Sequence, residues 1–214
     1  MANVKNNSAS QDTQRRLLQS ATEVFADRGY HAATIKEITD RAGASLASVN
    51  YHFRDKCELY AAVLRQIGEK IAEKIPPDDQ LTGAAPMRFR QFIQWYCLKA
   101  LDGKRPWEQI LLAREVAQPT EAMNWLLETY TRPLFDKLSN LIAELLHVPA
   151  SDESVGLATA SVFGQCVYFL RHLQLLSRMH PQLGEHPDVQ RLASHIAEFS
   201  LAGLQATQTT KNLP

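Results

Sequence analysis

The polar side chains with the most informative spacing lie between residues 34 and 56, in the stretch TIKEITDRAGASLASVNYHFRDK. The pattern predicts two short helices joined by a turn at Gly43, the second beginning at Ser45 and ending near His52. A helix that reads the DNA major groove needs small or polar outward side chains, so that its backbone can approach the base edges. The positions that we expect to face outward fit this need, because none holds an aliphatic side chain larger than alanine: Ala44, Ser45, Ala47, Ser48, Asn50, Tyr51 and His52.

The flanks of this segment carry groups that suit phosphate. Thr34 and Ser45 are expected to begin the two helices, where free backbone N–H groups and the helix dipole attract anions. The chain as a whole has no net charge, whereas its first 56 residues carry a small positive excess, which favours local contact with phosphate. The basic residues around the segment are Lys36, Arg54 and Lys56.

Two other functional classes compete with DNA reading. Short helix–glycine–helix pairs are common in all-helical proteins, and Tyr51 and His52 would also suit a contact with another protein, so a helical adaptor is the alternative. An enzyme is disfavoured, because the seven histidines show no HExxH or paired metal-ligand spacing. The sequence also has no GxSxG, Walker or GxGxxG element. We therefore expect no catalytic residue, no metal and no cofactor.

The cysteines and the N-terminal residues point to a cytoplasmic protein. Cys57, Cys97 and Cys166 are odd in number and widely spaced, which favours reduced thiols over a disulfide framework or a zinc site. Cys166 is expected to pack as a small apolar side chain, with an oxidant sensor as the alternative. The sequence has no apolar run of about 18 residues, and MANVKNNSASQ lacks the apolar part of a signal peptide. We expect no membrane partner.

Helical periodicity recurs along nearly the whole chain and strand signals are scarce, which predicts an all-α fold. Asp12 and Gly29 are expected to bound the first helix, and Asp55 to cap the fourth. Three prolines, a glycine and two aspartates within residues 75–86 mark the best domain boundary. The predicted order is a flexible arm (1–11), a helix-turn-helix DNA-binding domain (12–56), a connecting helix (57–74), a linker (75–86), a helical ligand-binding and dimerisation domain (87–206) and a disordered tail (207–214).

A dense set of residues over 12–64 follows one known pattern: Ala21, Phe25, Gly29-Tyr30, Thr34-Ile35, Glu37-Ile38, Ala42-Gly43, Ser45, Val49, Tyr51-His52-Phe53, Lys56, Leu59 and Tyr60. With them the segment resembles the N-terminal domain of the TetR/AcrR family of bacterial transcriptional regulators. There are two departures: Leu46 stands where many members carry lysine or another polar residue, and Asn50 replaces the more usual tyrosine. The base preference of a well-known member therefore does not carry over. The resemblance implies DNA contacts from Thr34, Ser45, Ala47, Ser48, Asn50, Tyr51, His52 and Lys56.

The resemblance extends over most of the chain. It includes SLASVNYHF in the helix-turn-helix, LLAREVAQPT at 111–120, RPLF at 132–135 and SVFGQCVYF at 161–169. Together these segments resemble the CecR-like branch of the family, which has its own type of C-terminal domain. The resemblance implies a homodimer and a pocket for a small-molecule effector in residues 87–180.

Polar groups within apolar helices indicate where an effector would bind, because ligand pockets are mostly apolar with a few placed polar groups. Arg114 and Gln165 are the leading polar candidates, and an arginine would favour a ligand with an anionic or carbonyl group. For each residue the alternative is a place in the core or on the surface, and Arg114 could instead be neutralised by Glu115 or by a neighbouring helix. The predicted ligand-binding residues are Trp95, Tyr96, Trp107, Arg114, Tyr130, Phe163, Gln165, Phe169 and His172.

Two apolar stripes near the end of the chain are candidates for a dimer interface, since a four-helix bundle on a two-fold axis would bury them. The alternative is that they form the core of their own domain, which must hold for some of them. A single DNA-binding domain of this size distinguishes DNA sequences poorly. This also favours a dimer on a double-stranded operator with two half-sites. The predicted interface residues are Val162, Leu173, Leu176, Leu192, Ile196, Phe199 and Leu204.

These observations predict an all-helical, homodimeric regulator of transcription that responds to a ligand. We expect a repressor that holds a palindromic operator and releases it when an unknown small molecule binds the C-terminal domain. The fourth helix would transmit the change, because it joins the DNA-binding domain to the ligand-binding and dimerisation domain.

Overall fold

The computed structural model describes residues 2–72, 75–76, 80–101, 106–183 and 188–211 of the 214-residue chain. These ranges contain ten α-helices and no strand, so the all-α prediction is confirmed. The helices are α1 (Ala2–Ala32), α2 (Ile35–Ala42), α3 (Leu46–Phe53), α4 (Lys56–Ala72), α5 (Ala85–Leu101), α6 (Pro106–Ala117), α7 (Ala122–Leu126), α8 (Arg132–Leu146), α9 (Glu153–Met179) and α10 (Val189–Lys211). A π-helical turn (Leu127–Thr131) precedes α8, and a short 3-10 turn (Pro181–Leu183) follows α9. Within the described ranges, no helix has the length and apolar character needed to cross a membrane.

Short polar residues begin α2, α3 and α4, as the sequence predicts. The side-chain oxygens of Thr34, Ser45 and Asp55 each accept a hydrogen bond from the backbone N–H three residues on, at 3.1, 3.2 and 2.9 Å. These bonds satisfy donors that the first turn of a helix leaves without a partner. The starts of three consecutive helices are therefore fixed by local sequence.

Two glycines with left-handed backbone punctuate the first helices. Gly43, at φ 58°, closes α2, and Gly29, at φ 79°, interrupts the helical run of α1 where the sequence predicts its stop. The turn between α2 and α3 is also held from outside, because Nη1 of Arg16 in α1 donates to the carbonyl oxygen of Ala42 at 2.7 Å. The geometry of the turn thus depends on both local backbone and α1.

The chain forms two compact units. The N-terminal unit contains Met1–Glu73 and Lys104–Thr131, and the C-terminal unit contains Lys74–Gly103 and Arg132–Pro214. Residues 104–131, with α6 and α7, therefore belong to the N-terminal unit, whereas the sequence analysis assigned them to the C-terminal domain. The physical reason is that Leu111 of α6 is fully buried in the N-terminal core.

The core of the N-terminal unit combines the apolar faces of α1 to α4 with one side of α6. Helices as short as α2 and α3 are unstable alone, so they depend on burying a few side chains against longer neighbours. The buried residues include Leu17, Ala21, Val24 and Phe25 of α1, Ile38 of α2, Val49 and Phe53 of α3, Leu59, Val63 and Leu64 of α4, and Leu111 of α6.

A fully buried carboxylate joins α6 to α4. Glu115 has no exposed surface, and it accepts a hydrogen bond from the Tyr60 hydroxyl at 2.8 Å. It also accepts bonds from the backbone N–H and the hydroxyl of Thr120, both at 2.8 Å. A buried carboxylate is tolerated only with such partners. This cluster of Tyr60, Glu115 and Thr120, called the carboxylate cluster below, fastens α6 to the helix that follows α3.

The neighbouring Arg114 bonds to α1. Its Nη2 donates to the carbonyl oxygen of Asp27 at 3.2 Å, just before the break at Gly29. The guanidinium therefore satisfies a carbonyl at the C-terminal end of the main run of α1. The partner is thus a backbone carbonyl of a neighbouring helix, which binds the guanidinium without neutralising its charge.

The C-terminal unit packs α5, α8, α9 and α10 around a core of its own. Its largest fully buried side chains include Phe89, Phe92, Ile93, Leu138, Ile142 and Ile196. Ion pairs also connect these helices at the surface, among them Arg88 with Glu144 at 2.5 and 2.6 Å and Arg90 with Glu198 at 2.5 Å. Exposed pairs contribute little to stability, so the apolar core carries this unit.

Both termini are more helical than the sequence analysis expects. The predicted flexible arm lies within α1, which begins at Ala2, and α10 continues to Lys211 in the predicted tail. Residues 2–28 contain no proline or glycine, and the Thr13 hydroxyl donates to the Ala9 carbonyl oxygen at 3.0 Å. Nothing in this stretch stops a helix once it has formed.

Gly29→Ala is expected to destabilise the N-terminal unit by about 1–3 kcal/mol. Its φ of 79° disfavours any other residue, and the new Cβ would lie 2.8 Å from Nη1 of Arg114. Thermal unfolding followed by circular dichroism measures the effect. Gly156→Ala is the control, because a Cβ there meets nothing within 4 Å. That control should be neutral or more stable by up to about 1 kcal/mol. Equal stability of the Gly29→Ala variant and the wild type would contradict the left-handed backbone and the close contact with Arg114 described at Gly29.

Tyr60→Phe is expected to lower the free energy of unfolding by about 1–3 kcal/mol at neutral pH, because Glu115 then loses a buried donor. Burial, followed by the hydrogen bond to Glu115, raises the pKa of Tyr60 well above its ordinary value of 10.0. A tyrosine with a raised folded-state pKa contributes stability that is complete below pH 10.0 and is lost as the pH rises above it. The difference between wild type and variant should therefore shrink at alkaline pH.

Urea unfolding at about pH 8 and about pH 11 tests this dependence. Tyr51→Phe is the matched control, because it removes an exposed phenol from the same unit. The control should unfold like the wild type at both pH values. A gap between wild type and Tyr60→Phe that stays constant from neutral to alkaline pH would show that Tyr60 does not titrate as described.

Candidate functional site

Four side chains on α3 form an exposed surface, which we call the reading face: Leu46, Ala47, Asn50 and Tyr51. Leu46 and Tyr51 are 59% and 80% exposed, and Ala47 and Asn50 are exposed as well. The predicted positions Ala47, Asn50 and Tyr51 are thus brought together on one side of the helix. Leu46 was missed, because the sequence analysis placed no aliphatic side chain larger than alanine on the outward side. It is exposed because α3 begins at this residue, one turn before the first buried anchor.

The opposite side of α3 is fixed in the core. Val49 and Phe53 are buried, at 1% and 7% exposure. Ser48 and His52 lie half-buried beside them, and the Ser48 hydroxyl is 2.9 Å from the Ser45 hydroxyl. The hydrogen-bonding capacity of these two serines is partly used within the protein. Asn50 and Tyr51 therefore offer the freer polar groups of the helix.

The residues predicted to contact phosphate lie around the reading face, and they differ in exposure and in their partners within the protein. Thr34 and Ser45 are exposed at the starts of α2 and α3, and Ala44 is half-buried between them. The Lys36 ammonium donates to Asp40 at 2.6 Å, and this bond raises the pKa of Lys36. Both side chains are exposed, so the pair is weak and a phosphate can compete for the lysine.

Arg54 stands out at the end of α3. Its side chain is 85% exposed, and its φ of 71° places it in the left-handed region that non-glycine residues rarely adopt. The guanidinium Nε is 3.8 Å from the Asp55 carboxylate, which is at the limit of an ion pair. The side chain is therefore available at the same edge of the unit as Tyr51.

Lys56 has partners inside the protein. Its Nζ donates to the carbonyl oxygen of His31 at 3.1 Å and lies 4.9 Å from the centre of the Tyr30 ring. Partial burial lowers the pKa of this lysine. The ammonium group thus ties the start of α4 to the end of α1, and its predicted phosphate contact stays a prediction.

The predicted ligand-binding residues divide between the two units. Trp107 and Arg114 lie in α6 of the N-terminal unit, and Arg114 bonds to α1 as described above. The side chain of Tyr130 lies outside the described residues. The remaining predicted residues belong to the C-terminal unit: Trp95, Tyr96, Phe163, Gln165, Phe169 and His172.

Trp95, Tyr96 and Phe163 meet in an aromatic cluster on the C-terminal core. The ring centroids of Tyr96 and Phe163 are 5.2 Å apart, and Phe135 stacks on Phe163 at 4.2 Å. Trp95 continues the row at 6.4 Å from Tyr96. Burial, with the nearby thiols of Cys166 and Cys97, raises the pKa of Tyr96 to about 12. These rings pack on one another, so a ligand could enter among them only by separating them.

The other three residues have different surroundings. Gln165 donates through Nε2 to the Ser200 hydroxyl at 3.3 Å and so joins α9 to α10. Phe169 is half-buried and lies 6.1 Å from the His195 ring. His172 is exposed at a kink in α9, with φ −112° and ψ 18°. The structure therefore gathers Trp95 and Tyr96 of α5 with Phe163 of α9, but it does not bring Phe169 or the predicted polar residues to them.

A further cleft in the C-terminal unit was not anticipated from the sequence. It has a volume of about 450 Å³, and none of the predicted ligand-binding residues lines it. Its apolar wall includes Leu81, Pro133 and Leu141, and Arg88 at its edge is already paired with Glu144. Its charged residues come from segments 56 residues apart, a separation that no local sequence pattern reveals.

The predicted dimer-interface residues fall into two groups. Val162, Leu176, Ile196 and Leu204 are buried within the C-terminal unit itself, so their assignment to a dimer interface is corrected: none of them is more than 8% exposed, which leaves little surface for a partner. Leu173 and Leu192 are half-buried, and Phe199 is 64% exposed. Helical spacing alone could not separate the inward stripe from the outward one, because α9 is apolar on both sides.

Comparisons with known proteins identify both halves of the chain. A family model described as bacterial regulatory proteins of the tetR family matches residues 17–63. A second model, the C-terminal domain of the HTH-type transcriptional dual regulator CecR, matches residues 85–204. The first match covers the helix-turn-helix, and the second covers more than half of the chain.

Individual relatives agree with these matches. CecR from Shigella flexneri is 27% identical over 173 residues, which cover 74% of this chain and 76% of CecR. The transcriptional activator FasR from Mycolicibacterium smegmatis is 51% identical over 65 residues, which cover only 30% of either chain. Both relatives are transcriptional regulators.

A solved structure shares the fold. FadR from Bacillus subtilis, a transcriptional regulator crystallised in complex with stearoyl-CoA, superposes with a TM-score of 0.63 at 17% identity, covering 88% of this chain and 98% of FadR. The chain described here belongs to the TetR family of DNA-binding transcriptional regulators, in the branch with a CecR-type C-terminal domain.

Proposed function

We propose that this protein is a homodimeric repressor that binds a palindromic operator through the reading face of α3 and releases it when a fatty acyl thioester binds the C-terminal unit. The reading face carries the proposal, because no described residue forms a hydrogen bond with the side chain of Asn50 or Tyr51, and Val49 and Phe53 anchor the opposite side of the helix in the core. Access to chromosomal operators places such a protein in the bacterial cytoplasm.

The chemistry of the reading face suits the DNA major groove. An asparagine can pair in two places with the edge of adenine, and the Tyr51 hydroxyl can reach a base or a phosphate. The exposed helix starts at Thr34 and Ser45, together with the basic side chains of Lys36, Arg54 and Lys56, suit the phosphates on either side.

A second copy of the chain completes the operator-binding unit. One reading face can contact only a few base pairs, whereas two related by a two-fold axis would match the halves of a palindrome. Large apolar side chains stay exposed on α9 and α10, and an exposed apolar patch of this kind suits a protein interface. We infer that the interface includes Leu157, Tyr168, Leu175 and Phe199, with Leu173 and Leu192 at its edge.

The proposed effector class has two supports. FadR, which shares the fold, holds stearoyl-CoA in its crystal structure. The aromatic cluster of Trp95, Tyr96 and Phe163 lies on an apolar core, which is the kind of surrounding that suits an acyl chain. To act as a switch, the acyl compound must bind the free dimer more tightly than the dimer on DNA.

Asn50→Ala is expected to weaken binding to the operator by about 10- to 100-fold, because a two-point contact with a base is lost. The measurement is fluorescence anisotropy with the footprinted upstream DNA of the gene, over a salt series with excess competitor DNA. The mass of the dimer and the thermal unfolding temperature should not change. Asn140→Ala, which truncates an exposed asparagine of the C-terminal unit, is the matched control and should bind like the wild type.

Two results would count against this proposal. Unchanged affinity of Asn50→Ala would remove the reading face from the DNA site. Wild-type protein that binds all sequences weakly and alike would favour the alternative of a helical adaptor.

Stearoyl-CoA is expected to lower operator affinity by about 5- to 150-fold, the usual range of coupling between two sites. Coenzyme A alone and stearate alone serve as controls for the two halves of the molecule. Phe163→Leu should reduce the response without changing the affinity for DNA, and Met87→Leu, an exposed change in α5, should leave both unchanged. Operator binding that no acyl-CoA alters would leave the regulator in place and reject this effector class.

A further inference from the structure

The reading face changes character along α3. Leu46 and Ala47 in its first turn are apolar, whereas Asn50 and Tyr51 in its second turn are polar. Leu46 is 59% exposed although it is a large aliphatic side chain, and it directly follows the cap residue Ser45. An exposed leucine has no use for phosphates, because it can neither donate a hydrogen bond nor neutralise charge.

Helix geometry aligns these residues in pairs. Leu46 and Asn50 are four residues apart and lie on the same side of α3, and so do Ala47 and Tyr51. One helical turn rises about 5.4 Å, which corresponds to between one and two base pairs at about 3.4 Å each. The first turn of a recognition helix is also the part that contacts base edges in helix-turn-helix proteins.

We propose that Leu46 reads the 5-methyl group of a thymine in each operator half-site. This inference rests on the proposed DNA binding and adds its specificity. The thymine methyl is the apolar group that the major groove presents, and aliphatic side chains recognise it by contact. The thymine lies within about two base pairs of the base that Asn50 contacts.

The alternative occupants of this position predict different behaviour. A lysine here would contact phosphate, and its removal would change the salt dependence of binding. Removal of the Leu46 side chain should leave the salt dependence unchanged, because no ion is released. It should instead erase discrimination at one base.

The experiment replaces each thymine of the synthetic operator in turn by deoxyuridine, which lacks only the methyl group. Full-length wild-type protein should bind about fourfold more weakly when one particular thymine of a half-site is replaced, because one buried methyl group is worth roughly that factor. Leu46→Ala should bind the thymine and uracil duplexes equally. Leu46→Met, which keeps an apolar side chain of similar size, should retain most of the difference.

The outcomes separate this inference from the proposed function. Specific operator binding that no uracil substitution weakens would overturn the methyl contact and leave DNA binding intact. A uracil effect that persists in Leu46→Ala would overturn it too, because another side chain would then read the methyl. Wild-type protein that binds no DNA sequence specifically would overturn both the methyl contact and the proposed function. Synthetic DNA carries no cytosine methylation, so the missing methyl is assigned to thymine alone.

Discussion

The N-terminal unit depends on one constraint: the fully buried carboxylate of Glu115 must keep its hydrogen bonds. Glu115 must keep its hydrogen bonds from Tyr60 and Thr120, because a buried charge that loses its partners costs several kcal/mol. Tyr60 is 55 residues away in the sequence, on the helix that directly follows α3. The carboxylate cluster therefore makes α6 part of the body that carries the reading face. Arg114 strengthens the same attachment through its bond to the end of α1.

The reading face benefits from this support because α3 cannot sustain itself. Its eight residues bury only Val49 and Phe53, and such a short helix is unstable in isolation. Three features fix the start of α3. Ser45 caps the helix, Gly43 supplies a left-handed backbone before it, and Arg16 of α1 donates to the carbonyl oxygen of Ala42. The backbone that carries the outward side chains is consequently held in place. A surface that is both rigid and unshared can recognise a ligand with little loss of conformational freedom.

The C-terminal unit differs from the N-terminal unit in leaving large apolar side chains exposed on its longest helix. α9 is apolar on two sides, one of which packs in the core through Val162 and Cys166 while the other exposes Leu157 and Tyr168. A helix that satisfies only its own unit would carry polar residues on the outer side. The outer apolar residues are the surface that the proposed dimer would bury.

Local chemistry determined much of this protein from the sequence. Thr34, Ser45 and Asp55 begin helices, and Gly29 and Gly43 end helical runs, because caps and left-handed glycines act within a few residues. The dense match over residues 12–64 gave the family, and it placed Asn50 and Tyr51 on the exposed side of α3. These predictions needed no knowledge of what the helices pack against.

Only the tertiary structure decided which residues meet over long distances. It joined Arg114 to the end of α1 by a hydrogen bond and assigned 104–131 to the N-terminal unit. It turned Val162 and Ile196 inward and exposed Leu46. In each case the sequence shows an apolar or charged residue at helical spacing, and that spacing is the same for either side of a helix. Burial depends on which neighbour the rest of the chain supplies, and no pattern within one helix encodes that choice.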